Sequence, residues 1–75
     1  MENNLILFGS MTAMMRARDL LRKNGIRSAT VRTPAAYRRG SCGYSLRVSR
    51  DIDRAVGMLK QQRIPVSGVA AVDAL

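Results

Sequence analysis

The chain has 75 residues, enough for one domain at most, and carries thirteen Lys/Arg (eleven of them Arg) against five Asp/Glu, a formal charge of +8. With no His and one Cys, it holds no Ser-His-Asp triad, Cys-His pair, His-ligated metal site, internal disulfide or CxxC motif. An apolar content of 47% is too high for a disordered basic tail and predicts a folded module.

Leu5 to Phe8 is a short continuous apolar run, the pattern of a central, buried strand. Gly9-Ser10 breaks it, and Ser10 or Thr12 can cap the helix that follows. Met11 to Asn24 is rich in good helix formers, and Ala13, Met14, Ala17, Leu20 and Leu21 form an apolar stripe at helical spacing. Asn24-Gly25 reads as its stop, with Gly at the left-handed position. Ile26 to Thr33 reads as a second strand, with Ala29 and Val31 on one face. Pro34 to Gly43 is irregular.

Tyr44, Leu46 and Val48 then alternate with Ser45, Arg47 and Ser49, a half-buried strand whose core face holds the first three. Asp51 stands at the cap of a second helix, in which Ile52, Ala55, Val56 and Leu59 occupy i, i+3, i+4 and i+7. Ile64-Pro65 ends that helix, and Val66 to Val72 is a last strand. The order β-α-β-β-α-β predicts an α+β, ferredoxin-like domain: a four-stranded antiparallel sheet with both helices on one face and strands one and three in the centre. No internal linker divides residues 1–75. The open face, with Arg32, Arg47 and Ser residues, is expected to be polar.

Strand direction places the 34–43 loop at the end of the sheet where the first helix begins. The lone Cys42 is therefore expected beside Gly9-Ser10-Met11-Thr12. That neighbourhood favours an anion. A helix start offers free N–H groups, Ser10 and Thr12 add hydroxyls, and Arg38 and Arg39 lie on the loop itself. Gly40 and Gly43 let the backbone bend around Ser41-Cys42 and bring further N–H groups close. A thiol held there is expected to be exposed and activated, since the thiolate is the nucleophile. The competing reading of a lone Cys is a small buried space-filler; the Ser41 and Gly43 flanks favour the turn.

Phe8-Gly9-Ser10, Leu20-Leu21, Thr33-Pro34 and above all Ser41-Cys42-Gly43-Tyr44-Ser45-Leu46-Arg47 resemble a family of small selenium/sulfur (Se/S) carrier-like proteins, in order and length over about the whole chain. Four positions depart from the family pattern: Met11-Thr12 replace a Thr-His-type pair, Ala35 follows the loop Pro where Arg is common, and Arg18 stands at a polar or acidic helix position. The resemblance implies a carrier rather than a turnover enzyme. A donor such as a cysteine desulfurase would load Cys42 with sulfur or selenium. An acceptor thiol protein or a selenophosphate-forming enzyme would then take it. Ser10, Thr12, Arg38, Arg39, Ser41 and Gly43 would hold the anionic persulfide or selenopersulfide. No cofactor or metal is required, and a nearby second Cys would discharge the persulfide as a disulfide.

Rival readings follow from the same features. A basic RNA-binding or ribonucleoprotein-type module shares the fold and the charge, with Arg39-Gly40 before Tyr44 and with Phe8 as a second platform. The aromatics are few, however, and Tyr44 is expected on the core face, so nucleic acid is disfavoured. A metal chaperone lacks its second Cys, since only Met11, Met14 and Met15 could assist, and these read as helix packing. A small structural or assembly domain is a further alternative. A core of this size seldom gives more than ~3–5 kcal/mol, so a homodimer would be one source of support. Arg16, Arg22, Arg27, Arg50, Arg54 and Lys60 are assigned to solvated faces. Met1 to Asn4 carries no basic n-region, and the apolar run after it is too short to span a membrane. With no disulfide available, a cytoplasmic location is expected.

Overall fold

A computed structural model describes residues 3–72. In chain order the elements are β1 (Leu5–Leu7), α1 (Met11–Lys23), β2 (Ala29–Arg32), a 3-10 turn (Ala35–Tyr37), β3 (Tyr44–Arg47), α2 (Ile52–Gln61) and β4 (Gly68–Ala70). The strands form one antiparallel sheet in the order β2-β3-β1-β4. This is the expected α+β, ferredoxin-like arrangement, with β1 and β3 as the central pair.

Both helices end in the same way, and for the same reason. In α1 the Gly25 N–H donates to Arg22 O and the Ile26 N–H to Leu21 O, with Gly25 at φ 76°. In α2 the Arg63 N–H donates to Lys60 O and the Ile64 N–H to Leu59 O, with Arg63 at φ 57°. Each is a Schellman closure, and each turns a buried Ile into the core. The first was legible from Asn24-Gly25. The second was not, because Arg rather than Gly takes the left-handed position.

The helix starts differ. Ser10 has an extended backbone and its Oγ accepts the Ala13 N–H at 3.1 Å, so Ser10 rather than Thr12 caps α1. Asp51 occupies the cap position of α2, but its carboxylate makes no cap bond. Its backbone is left-handed, at φ 57°, and a cap side chain is normally aimed at the helix N–H groups by an extended backbone. The expected Asp51 cap is thus a position without the bond.

The core lies between sheet and helices. Ile6, Phe8, Leu46 and Val48 meet Ala13, Met14, Ala17 and Leu21 of α1 and Ala55 and Leu59 of α2, with Ile26 and Ile64 closing the ends. Each large side chain buried there stabilises the fold by roughly 1.5–3 kcal/mol.

All four strands are shorter than the sequence suggests, the second and fourth most of all. Ile26 is committed to closing α1, so the second strand starts only at Ala29. Ser67 still reaches Leu7 O, and the Val72 N–H turns to the Asn4 side chain at 2.9 Å instead of to a strand. The open face also differs from expectation. Register puts Leu5 with Arg47, Ala29 and Ala70, and Leu7 with Ser45, Val31 and Gly68, all on the side away from the helices. Arg32 pairs with Tyr44 on the helix side, where Tyr44 is exposed rather than covered. The open face therefore carries aliphatic groups beside Ser45 and Arg47, with Leu5 and Ala70 buried. No helix among the described residues is long and apolar enough to cross a membrane.

Candidate functional site

The loop from Thr33 to Tyr44 is built by local chemistry. Pro34 has no N–H and cannot continue the β2 ladder. The 3-10 turn follows, closed by Tyr37 N–H to Pro34 O and Arg38 N–H to Ala35 O. Ser41 N–H then returns to Arg38 O. Gly40 at φ 76° and Gly43 at φ 92° supply the reversals that L side chains adopt only with strain. The strands rejoin where the Thr33 N–H donates to Gly43 O.

Thr33 anchors this loop, a role that sequence reasoning missed. Its Oγ1 lies 2.6 Å from Ser45 Oγ and 3.3 Å from Ser41 Oγ, and both Thr33 and Ser45 are wholly buried. Ser41 Oγ accepts the Gly43 N–H at 3.0 Å. The Thr33 carbonyl takes the guanidinium of Arg38, from Nε at 3.3 Å and Nη2 at 3.1 Å. The three hydroxyls form a chain on the sheet face away from the helices. Ser45 reads as solvent-facing from alternation alone, which says nothing about the Thr33 hydroxyl that meets it.

Cys42 lies on the other side of that chain. Its N–H donates to Phe8 O at 2.9 Å, which fastens the loop to the end of β1. Gly9 stands beside Gly40: a Cβ built on Gly9 would lie 3.8 Å from Gly40 O. The loop is therefore where strand direction predicted it, next to the Gly9-Ser10 turn that opens α1. The Cys42 side chain is half-buried and packs against the helix-side core cluster. Its Sγ donates to Tyr44 O at 3.3 Å.

The other predicted site residues fall into two sets. Arg38, Ser41 and Gly43 belong to the bonded loop, and Ser10 caps α1 two residues beyond Phe8. Thr12 and Arg39 are exposed, and neither makes a side-chain hydrogen bond or ion pair among the described residues. Of the aromatics, Phe8 is wholly buried in the core and offers no stacking surface for a base. Among the described residues no group of three His, Cys, Asp or Glu gathers as metal ligands would.

The family model described as "Putative Se/S carrier protein-like" matches residues 3–71, which takes in every element and the whole cysteine loop. No curated protein and no solved structure matches the chain.

Proposed function

The chain belongs to the Se/S carrier protein-like family, and from that premise we propose that it holds sulfur or selenium on Cys42 and passes it from a donor enzyme to an acceptor. The observation that carries this reading is the place of the chain's only cysteine: on a Gly-flanked loop at the sheet end, beside the start of α1, with its sulfur half-exposed.

In loading, the Cys42 thiolate attacks the outer sulfur of a donor persulfide, E–S–SH. A Cys42–S–SH bond forms and the donor leaves as its thiolate, so the exchange is redox-neutral. In delivery an acceptor thiolate attacks the outer atom and Cys42 leaves. Selenium follows the same path as Cys42–S–SeH. A cysteine desulfurase fits the donor role, and a thiol protein or a selenophosphate-forming enzyme fits the acceptor role. We assign the chalcogen anion to Arg38 and Arg39 for charge and to Ser10, Thr12, Ser41 and Gly43 for donors; the Gly43 N–H, donated to Ser41 Oγ in the resting loop, exchanges that partner for the anion. Arg38 and Ser41 are held by Thr33, and Arg39 and Thr12 are exposed and carry no side-chain bond among the described residues. The protein carries and its partners catalyse.

Incubation with a purified cysteine desulfurase and cysteine, followed by intact mass measurement, tests this. The wild type should gain about 32 Da, or about 79 Da when selenocysteine replaces cysteine as the desulfurase's substrate, so that the donor presents E–S–SeH. The adduct should vanish on addition of a reducing thiol and be absent from Cys42→Ala. An unloaded wild type, or an adduct that survives in Cys42→Ala, rejects the carrier role.

A further inference from the structure

Large apolar side chains at a protein surface are ordinary when scattered singly. Here they are not scattered. Among the described residues the exposed ones are Met11, Met15, Tyr37, Tyr44 and Val69. All but Val69 stand at the cysteine end. Met11 opens α1 directly after the Gly9-Ser10 turn, at 40% exposure, and Met15 follows one turn on along the same helix face, at 46%. Tyr37 closes the 3-10 turn of the loop. Tyr44 supplies the carbonyl that holds the Cys42 thiol, and its ring stands on the helix side of the sheet with Arg32.

Charge is segregated in the same way. Arg32, Arg38 and Arg39 accompany this apolar rim. The described carboxylates lie elsewhere: Asp19 pairs with Arg18 and Arg22 well along α1, and Asp51 and Asp53 stand at the start of α2, at the opposite end of the sheet. The cysteine end thus pairs exposed Met and Tyr with cations that no described acid neutralises.

We propose that this rim is a docking surface for the enzyme that delivers the chalcogen, and that the partner presents an apolar contact edged by carboxylates. The proposal rests on the carrier reading. Tyr side chains bring large contact area at small entropic cost, and Met adapts its shape to the surface it meets. A carboxylate edge would complement Arg32, Arg38 and Arg39, steering the encounter and fixing its register. Cys42 is half-buried and its Sγ is turned to Tyr44 O. The incoming sulfur must therefore be brought to it, and a seated rim does so while excluding water.

The test is the KM for the carrier in desulfurase-driven loading, measured for Met11→Ser/Met15→Ser, Tyr44→Ser and Arg32→Glu. Each should raise KM by about tenfold or more with kcat retained, and rising salt should raise it further for the wild type. The rate of Cys42 alkylation by iodoacetamide, a small reagent that needs no docking, and the melting temperature should stay at wild-type values. Unchanged KM in all three variants overturns the proposal. So does a KM effect matched by an equal fall in alkylation, which would mark a local structural change. If Arg27→Glu/Arg54→Glu at the opposite end raises KM while the rim variants do not, the docking surface is there instead. A wild type that no desulfurase loads overturns the carrier reading, and this proposal with it.

Discussion

The two ends of the sheet are each held by one polar residue, and they are held differently. At the cysteine end Thr33 works from inside. Its hydroxyl links Ser45 and Ser41, its N–H meets Gly43 O, and its carbonyl receives Arg38. At the opposite end Asn4 works from the edge. Its side chain donates to Val72 O at 2.7 Å and accepts the Val72 N–H at 2.9 Å, imitating a strand partner where β4 has ended. Charge differs as well. The cysteine end carries Arg32, Arg38 and Arg39 with no described acid. At the other end Arg27, Arg50 and Arg54 line a cleft of about 580 Å³ together with Asp51. A formal charge of +8 is thus two surfaces of different character. One has cations beside exposed apolar groups around a thiol, and the other has cations interleaved with acids.

The comparison breaks first at its anchors. Thr33→Val keeps the shape but leaves the buried Ser45 hydroxyl without its partner, at a cost of about 1–3 kcal/mol. In a domain of this size each kcal/mol lowers the melting temperature by roughly 4–8 °C. The same variant should raise the amide exchange of Cys42 and Gly43 and speed Cys42 alkylation, because the loop loses its fixed point. Asn4→Ala should cost less, about 1 kcal/mol, since the freed Val72 groups are half-exposed and can turn to water. It should leave alkylation of Cys42 unchanged. Equal effects of the two on the loop would show that the ends are not independent.

What the sequence made legible follows the same division. Apolar periodicity gave the element order, the central pair and both helix faces. Strand direction placed Cys42 beside the start of α1. Thr33 and Ser45 escaped because their environment is set by each other and by Ser41 of the loop, bonds that no local pattern encodes. Asn4 escaped because an amide that substitutes for a strand is visible only once Val72 lies beside it. The open face was misjudged at Arg32, since counting alternation along β2 needs the register with Tyr44 to say which side faces the helices. Exposure of Tyr44 was missed for a related reason: alternation assigns it to the helix-side face but does not say that the face is covered there.

A smaller contrast lies in the helix starts, one at each end. Ser10→Ala removes the Oγ bond to the Ala13 N–H and should cost about 1 kcal/mol in a denaturant melt. Asp51→Gly removes a carboxylate that makes no cap bond and relieves a left-handed backbone, so its stability should stay within about 0.5 kcal/mol of wild type. A loss of 1 kcal/mol or more at Asp51 would mean that its charge matters to α2 without a cap bond, through the helix dipole.

The smallest effect concerns the two helix ends, where identical closures are made by different residues. Gly25 reaches φ 76° at no steric cost, whereas Arg63 holds φ 57° with a Cβ in the way. Gly25→Ala should therefore destabilise by about 1 kcal/mol, and Arg63→Gly should stabilise, with the relief of strain offset in part by the greater freedom of Gly in the unfolded chain. The net gain should be about 0.5 kcal/mol, read as a higher denaturant midpoint at unchanged slope. Nothing lies within 4 Å of a Cβ built on Gly25, so crowding does not enter its variant, and the backbone angle alone sets the sign. A destabilised Arg63→Gly would show that the Arg63 side chain contributes more to the end of α2 than its left-handed backbone costs.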